Sequence, residues 1–107
     1  MNQREQPHTH LHPQGEIPTP EQVADFFRVL GDGTRVRILM LLSAGEMRVG
    51  TLAEGVGMSL SAVSHQLRIL RGASLIAARR EGKGVFYRLA DDHVHTILDM
   101  TLEHLEE

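Results

Sequence analysis

A chain of 107 residues with 41% hydrophobic content, three Phe, one Tyr and no Trp forms one domain with a small aliphatic core, which gains from burial against a second copy. The absence of cysteine excludes a disulfide framework and leaves only nitrogen and oxygen ligands for any metal. The formal net charge of −3 weighs against a nucleic-acid partner; with no signal peptide and no apolar run near about 18 residues, a soluble cytoplasmic protein and no membrane partner are expected.

Residues 1–18 are polar, proline-containing and aperiodic, which predicts a flexible arm ahead of a single domain over 19–107. The alternating His8, His10 and His12 read either as part of that tail or as a ligand cluster. Thr19-Pro20-Glu21-Gln22 opens a first helix, with Thr19 as cap, Pro20 in the first turn and Gln22 completing a capping box; Gly31 closes it. Asp32 caps a second helix through Ile38, Leu39, Leu41 and Leu42, ended by Gly45. A short extended segment over 47–49 leads to a third helix over about 50–56, with Leu52 and Val56 facing inward.

Gly57-Met58-Ser59 is a tight turn into a fourth helix over about 60–71, whose buried stripe is Val63, Leu67 and Leu70. Two helices joined by a glycine-containing turn, the second polar on its outer face, form a helix-turn-helix. Residues 75–81 and 85–89 read as strands around Gly82-Lys83-Gly84, a hairpin that serves as a wing. Its Arg79, Arg80 and Lys83 are placed to reach phosphates or the minor groove. The fold class is therefore mainly α (α+β): a winged helix-turn-helix with a C-terminal dimerisation helix.

Charge is segregated along this order. Over residues 61–88 six bases face one acid, Glu81, a surplus of five; over 89–107 six acids face no Lys or Arg. Such a division predicts a basic DNA-facing surface and an acidic end able to receive a cation. On the fourth helix Ser61, His65 and Arg68 share the exposed face, flanked by Ser64 and Gln66; hydroxyls, an imidazole and a guanidinium suit phosphates and base edges. Arg35 and Arg37 read as structural or backbone-contacting residues. A twofold dimer predicts an operator of double-stranded DNA with an imperfect inverted repeat.

The last helix, capped by Asp91, carries His93 and His104 eleven residues apart. Eleven residues turn through about 1100°, so the two imidazoles lie within roughly 20° of one face but about 16.5 Å apart along the axis. One chain does not bring them to a single ion. An antiparallel second copy sets His93 of one subunit beside His104 of the other, and with Asp91 and Glu107 builds two clusters of tetrahedral, zinc-type ligands. Ile97, Met100, His104 and Glu107 fall within about 40° of His93, at helix-seam spacing. A second stripe, Val94, Leu98, Leu102 and Leu105, suits the subunit's own core, and His95, Thr96, Asp99, Glu103 and Glu106 the solvent side. The other reading of the same residues is that Asp91 only caps, the histidines are surface residues and Glu107 is a frayed end.

Three stretches, Leu30-Gly31-Asp32-Gly33-Thr34-Arg35-Val36-Arg37-Ile38-Leu39, Ser61-Ala62-Val63-Ser64-His65-Gln66-Leu67-Arg68-Ile69-Leu70 and the run over 82–89, strongly resemble the ArsR–SmtB family of bacterial metal-responsive repressors. The resemblance covers about residues 19–107. It implies a homodimer whose apo form holds an operator, before its own operon and a metal exporter or sequestration gene, and whose metal-bound form lets it go. It also implies a site on the terminal helices, mapping onto Asp91, His93, His104 and Glu107, with Zn2+ or else Co2+ or Ni2+, two sites per dimer. Two departures matter. The cysteines of thiolate-using relatives are absent, Met47-Arg48-Val49-Gly50 standing there, and Leu60 replaces a residue often polar in the family. The alternatives are a nickel or cobalt sensor that adds the arm's histidines, a metal-independent winged-helix repressor, and a metal-dependent hydrolase; four ligands on packed helices leave the hydrolase no open coordination position.

Overall fold

The structure is a computed structural model that describes residues 16–106; His8, His10, His12 and Glu107 lie outside the described residues. Helix α1 (Pro20–Leu30) starts as its sequence requires: Thr19 Oγ1 accepts from Gln22 N at 3.1 Å, and Gln22 Oε1 accepts from Thr19 N at 2.8 Å. Helix α2 (Gly33–Leu42) is capped by Asp32, whose carboxylate accepts from Arg35 N at 3.0 Å. It closes at Leu42, short of Gly45, because the turn tightens. Ser43 Oγ donates to Met40 O at 2.6 Å, and the Ala44 and Gly45 N–H groups reach back to Leu41 and Leu42.

The extended segment does more than connect helices. As β1 (Met47–Arg48) it pairs antiparallel with β3 (Gly84–Leu89), which pairs on its other side with β2 (Ile76–Glu81), giving the order β1-β3-β2. Helix α3 (Val49–Val56) follows at once, one residue earlier than its apolar spacing suggests. Gly57 ends it in the left-handed region, φ 70°, and Ser59 caps α4 (Leu60–Gly72) by accepting from Ala62 N at 3.1 Å. In the hairpin Glu81 faces Gly84, so Gly82 and Lys83 form the two-residue turn; Gly82, at φ 62°, holds the first turn position, where glycine suits the twist of the strands.

The core gathers one stripe from each of three helices: Ile38, Leu39 and Leu42 of α2, Leu52 and Val56 of α3, and Val63, Leu67 and Leu70 of α4. Leu75, Ile76 and Leu89 close it from the sheet side. Each large aliphatic side chain buried there contributes on the order of 1.5–3 kcal/mol of transfer free energy. Among the described residues no polar or charged side chain is buried, so the core is held by aliphatic packing. Helix α5 (Asp92–Leu105) docks by Val94 and Leu98. The sequence expectation for its last two turns is corrected here. Leu102 and Leu105 are exposed, Leu105 by 73%, because the cleft they border with Leu30, Val36 and Met40 stays open. His95, expected toward solvent, is half-buried. No described helix is long and apolar enough to cross a membrane.

Candidate nucleic-acid interface and metal centre

With Val63, Leu67 and Leu70 anchored inward, the 3.6-residue period of α4 turns Ser61, Ser64, His65 and Arg68 outward, and all four are exposed. Gln66 differs. It is half-buried, and its Oε1 accepts from Arg35 Nη1 at 3.3 Å, while Arg35 Nε donates to Val29 O at 2.7 Å. Arg35 thus ties the end of α1 to α4, the structural role its position suggested. Ser64 and Arg68 border a cleft with Arg71 of the same helix and Tyr87 of β3, so the helix and the wing share one wall. Arg71 entered the sequence reading only as charge; its place three residues after Arg68 is the signal that puts it on this wall.

At the wing tip Lys83 borders a second cleft with Arg48, Thr51 and the exposed Leu60, between the hairpin and the start of α4. Arg80 is exposed. Arg79 is engaged: its Nε donates to both Glu46 oxygens at 2.9 Å, its Nη2 lies 2.8 Å from Glu46 Oε1, and its Nη1 lies 2.6 Å from Glu81 Oε1. The Arg79 hydrogen bond holds the Glu46 carboxyl below the usual carboxylate range, against an opposing desolvation, with the charges of Arg79 and Arg88 adding to the lowering. The same bonds raise the Arg79 guanidinium. Arg79 and Arg48 also lie over the Phe86 ring, at 4.8 and 5.1 Å from its centroid. Sequence reasoning missed Glu46 and this stack. The signal lay in strand alternation, once β1 is recognised as part of the sheet.

On α5, Asp91 caps through Oδ1, which accepts from Val94 N at 3.2 Å. Its Oδ2 lies 3.6 Å from His93 Nδ1, with both side chains more than half exposed. Two ligand atoms on one tetrahedral zinc at about 2.0–2.1 Å each sit about 3.3 Å apart, so this carboxylate and imidazole fit half of such a site with little adjustment. His104 is exposed in the last turn of α5, far along the helix from His93, as the spacing requires. Among the described residues no three His, Asp or Glu side chains gather within one chain. Met100, between the two histidines on the same helix, is 63% exposed, and Phe27 on α1 is 60% exposed.

Residues 32–78 match the family described as "Bacterial regulatory protein, arsR family". The chain is 45% identical to a transcriptional repressor SmtB homolog of Synechocystis sp., the match covering 81% of this chain and 66% of that protein. It is 44% identical to the HTH-type transcriptional regulator NmtR of Mycobacterium tuberculosis, covering 79% of this chain and 71% of the other. Among solved structures, it is similar to the homodimeric winged helix-turn-helix DNA-binding domain of Mb0332 from Mycobacterium bovis, described as a possible ArsR-family transcriptional regulator. That likeness has a TM-score of 0.77 at 36% identity and covers 81% of each chain.

Proposed function

The chain belongs to the arsR family of bacterial regulatory proteins, and from that premise we propose that it is a metal-responsive transcriptional repressor, released from its operator by zinc bound between the last helices of a homodimer. The observation that carries this reading is the exposed Asp91–His93 pair, its atoms at a spacing suited to a shared ion, on the same α5 face as His104. Asp91 and His93 would hold the ion with His104 and Glu107 of the partner subunit, two sites per dimer. The ion would supply a fixed cross-link between the two helices. The uncovered Met100, on the same α5 face as the two histidines, favours the dimer this requires, since an exposed apolar group there gains by meeting its own copy.

In this reading α4 enters the major groove of double-stranded DNA with Ser61, Ser64, His65 and Arg68 toward base edges and phosphates. The wing, through Arg80 and Lys83, reaches the flanking backbone. Gln66, held by Arg35, orients α4. The operator is an imperfect inverted repeat. Cross-linking α5 changes the spacing of the two α4 helices and so their match to the half-sites. By linkage, DNA weakens zinc binding by the same factor that zinc weakens DNA binding, a coupling on the order of 1–3 kcal/mol.

The test is fluorescence anisotropy of the dimer bound to a duplex taken from upstream of its own gene, titrated with zinc, cobalt and nickel. Zinc lowers the anisotropy to that of free duplex for the wild type and leaves it unchanged for His104→Ala. Retention of the duplex at saturating zinc would refute the switch, and release by nickel or cobalt alone would reassign its metal.

A further inference from the structure

The adjacent bases Arg79 and Arg80 lie on opposite faces of the wing, because successive strand residues alternate sides. Register fixes which is which. Arg79 is opposite Phe86, which is opposite Arg48, one cross-strand row over all three strands, and both guanidinium groups lie against the Phe86 ring. Glu46, two residues before Arg48, shares that face and grips Arg79 through both carboxylate oxygens. The next row, Met47, Tyr87 and Ala78, belongs to the other face, and Tyr87 borders the cleft with Ser64, Arg68 and Arg71 of α4. Arg80, one residue past Arg79, takes the α4 side.

We infer that Arg79 is a positioning residue, not a phosphate contact: paired with Glu46 it fixes the wing to the segment between α2 and β1, and leaves Arg80 and Lys83 as the cations that meet DNA. This rests on the DNA-binding reading above. Three parts of the guanidinium, Nε, Nη1 and Nη2, are already committed to carboxylates, and turning to a phosphate would leave Glu46 without its closest partner. A phosphate contact and a positioning pair leave different signatures. Each phosphate neutralised contributes about 0.9 to the slope of log affinity against log salt, whereas a lost internal pair lowers affinity without changing that slope.

The decisive variant is the double substitution Glu46→Gln with Arg79→Gln, which keeps the net charge of the wild type. Affinity for the upstream duplex and for a scrambled duplex of equal length is measured by anisotropy over roughly 50 to 200 mM salt. The double variant binds roughly two- to fivefold more weakly at a slope equal to the wild type's, with thermal unfolding confirming a folded wing-bearing domain. Arg80→Gln, in contrast, reduces the slope by about 0.9 for each protomer engaged. A double variant whose slope falls as far as that of Arg80→Gln would overturn the assignment, as would one with wild-type affinity. A wild type that binds neither duplex would instead remove the DNA reading itself, and this assignment with it.

Discussion

Asp91 carries a cap and, in the proposed site, a ligand on one carboxylate. Oδ1 closes the first turn of α5 on Val94 N, and Oδ2 faces His93. The roles separate by substitution. Asparagine caps as well as aspartate, so Asp91→Asn leaves apo stability within a few tenths of a kcal/mol, while Asp91→Ala costs about 1 kcal/mol in urea denaturation. Both lose zinc affinity, because neither offers an anionic oxygen beside His93. Wild-type zinc affinity in Asp91→Asn would reduce Asp91 to a cap alone. Glu46 shows the complementary case of a carboxylate whose partner is internal. Its lowered pKa means that the ion pair with Arg79 stabilises the wing at pH values above the usual carboxylate range and is lost as pH falls through the lowered value.

The helix-turn-helix depends on one backbone choice. Gly57 sits at φ 70° with nothing within 4 Å of where a Cβ would stand, so a side chain there meets no clash, only the cost of the left-handed conformation. Gly57→Ala is expected to lower unfolding free energy by about 1–2 kcal/mol, read from denaturant midpoints with an unchanged m value. A neutral result would mean that α3 and α4 re-pack around a different turn. The caps at Thr19, Asp32 and Asp91 and the α4 stripe were legible in the chain because each is set by neighbours a few residues away. The pairing of Met47 with Tyr87 was not, since a two-residue strand carries too little alternation to announce itself. Glu46 therefore escaped notice with it. Leu102 and Leu105 show a different gap: periodicity identifies an apolar stripe on α5 but not which body covers it.

Taken whole, the molecule separates its charges by sign. Bases gather on α4 and the hairpin, acids on α5, and the Asp91, His93 and His104 groups proposed as ligands lie at the cap and along a helix that holds no Lys or Arg. Helical spacing alone made legible that His93 and His104 share a face of α5 far apart along its axis; what would join them was not, because it is a property of two chains. A winged helix-turn-helix that leaves Met100 uncovered on the histidine face of α5 has an apolar group there for that pairing. The account stands or falls on ligands shared across the twofold. Mixing His93→Ala and His104→Ala proteins under conditions that allow subunit exchange tests this directly, with zinc uptake as the readout. Neither variant alone forms a complete site, whereas each mixed dimer carries one intact set, Asp91 and His93 from one subunit and His104 and Glu107 from the other. Recovery of tight zinc binding and of zinc-driven release from DNA on mixing is the expected result; a mixture as inert as its two components, with exchange demonstrated, would contradict the account.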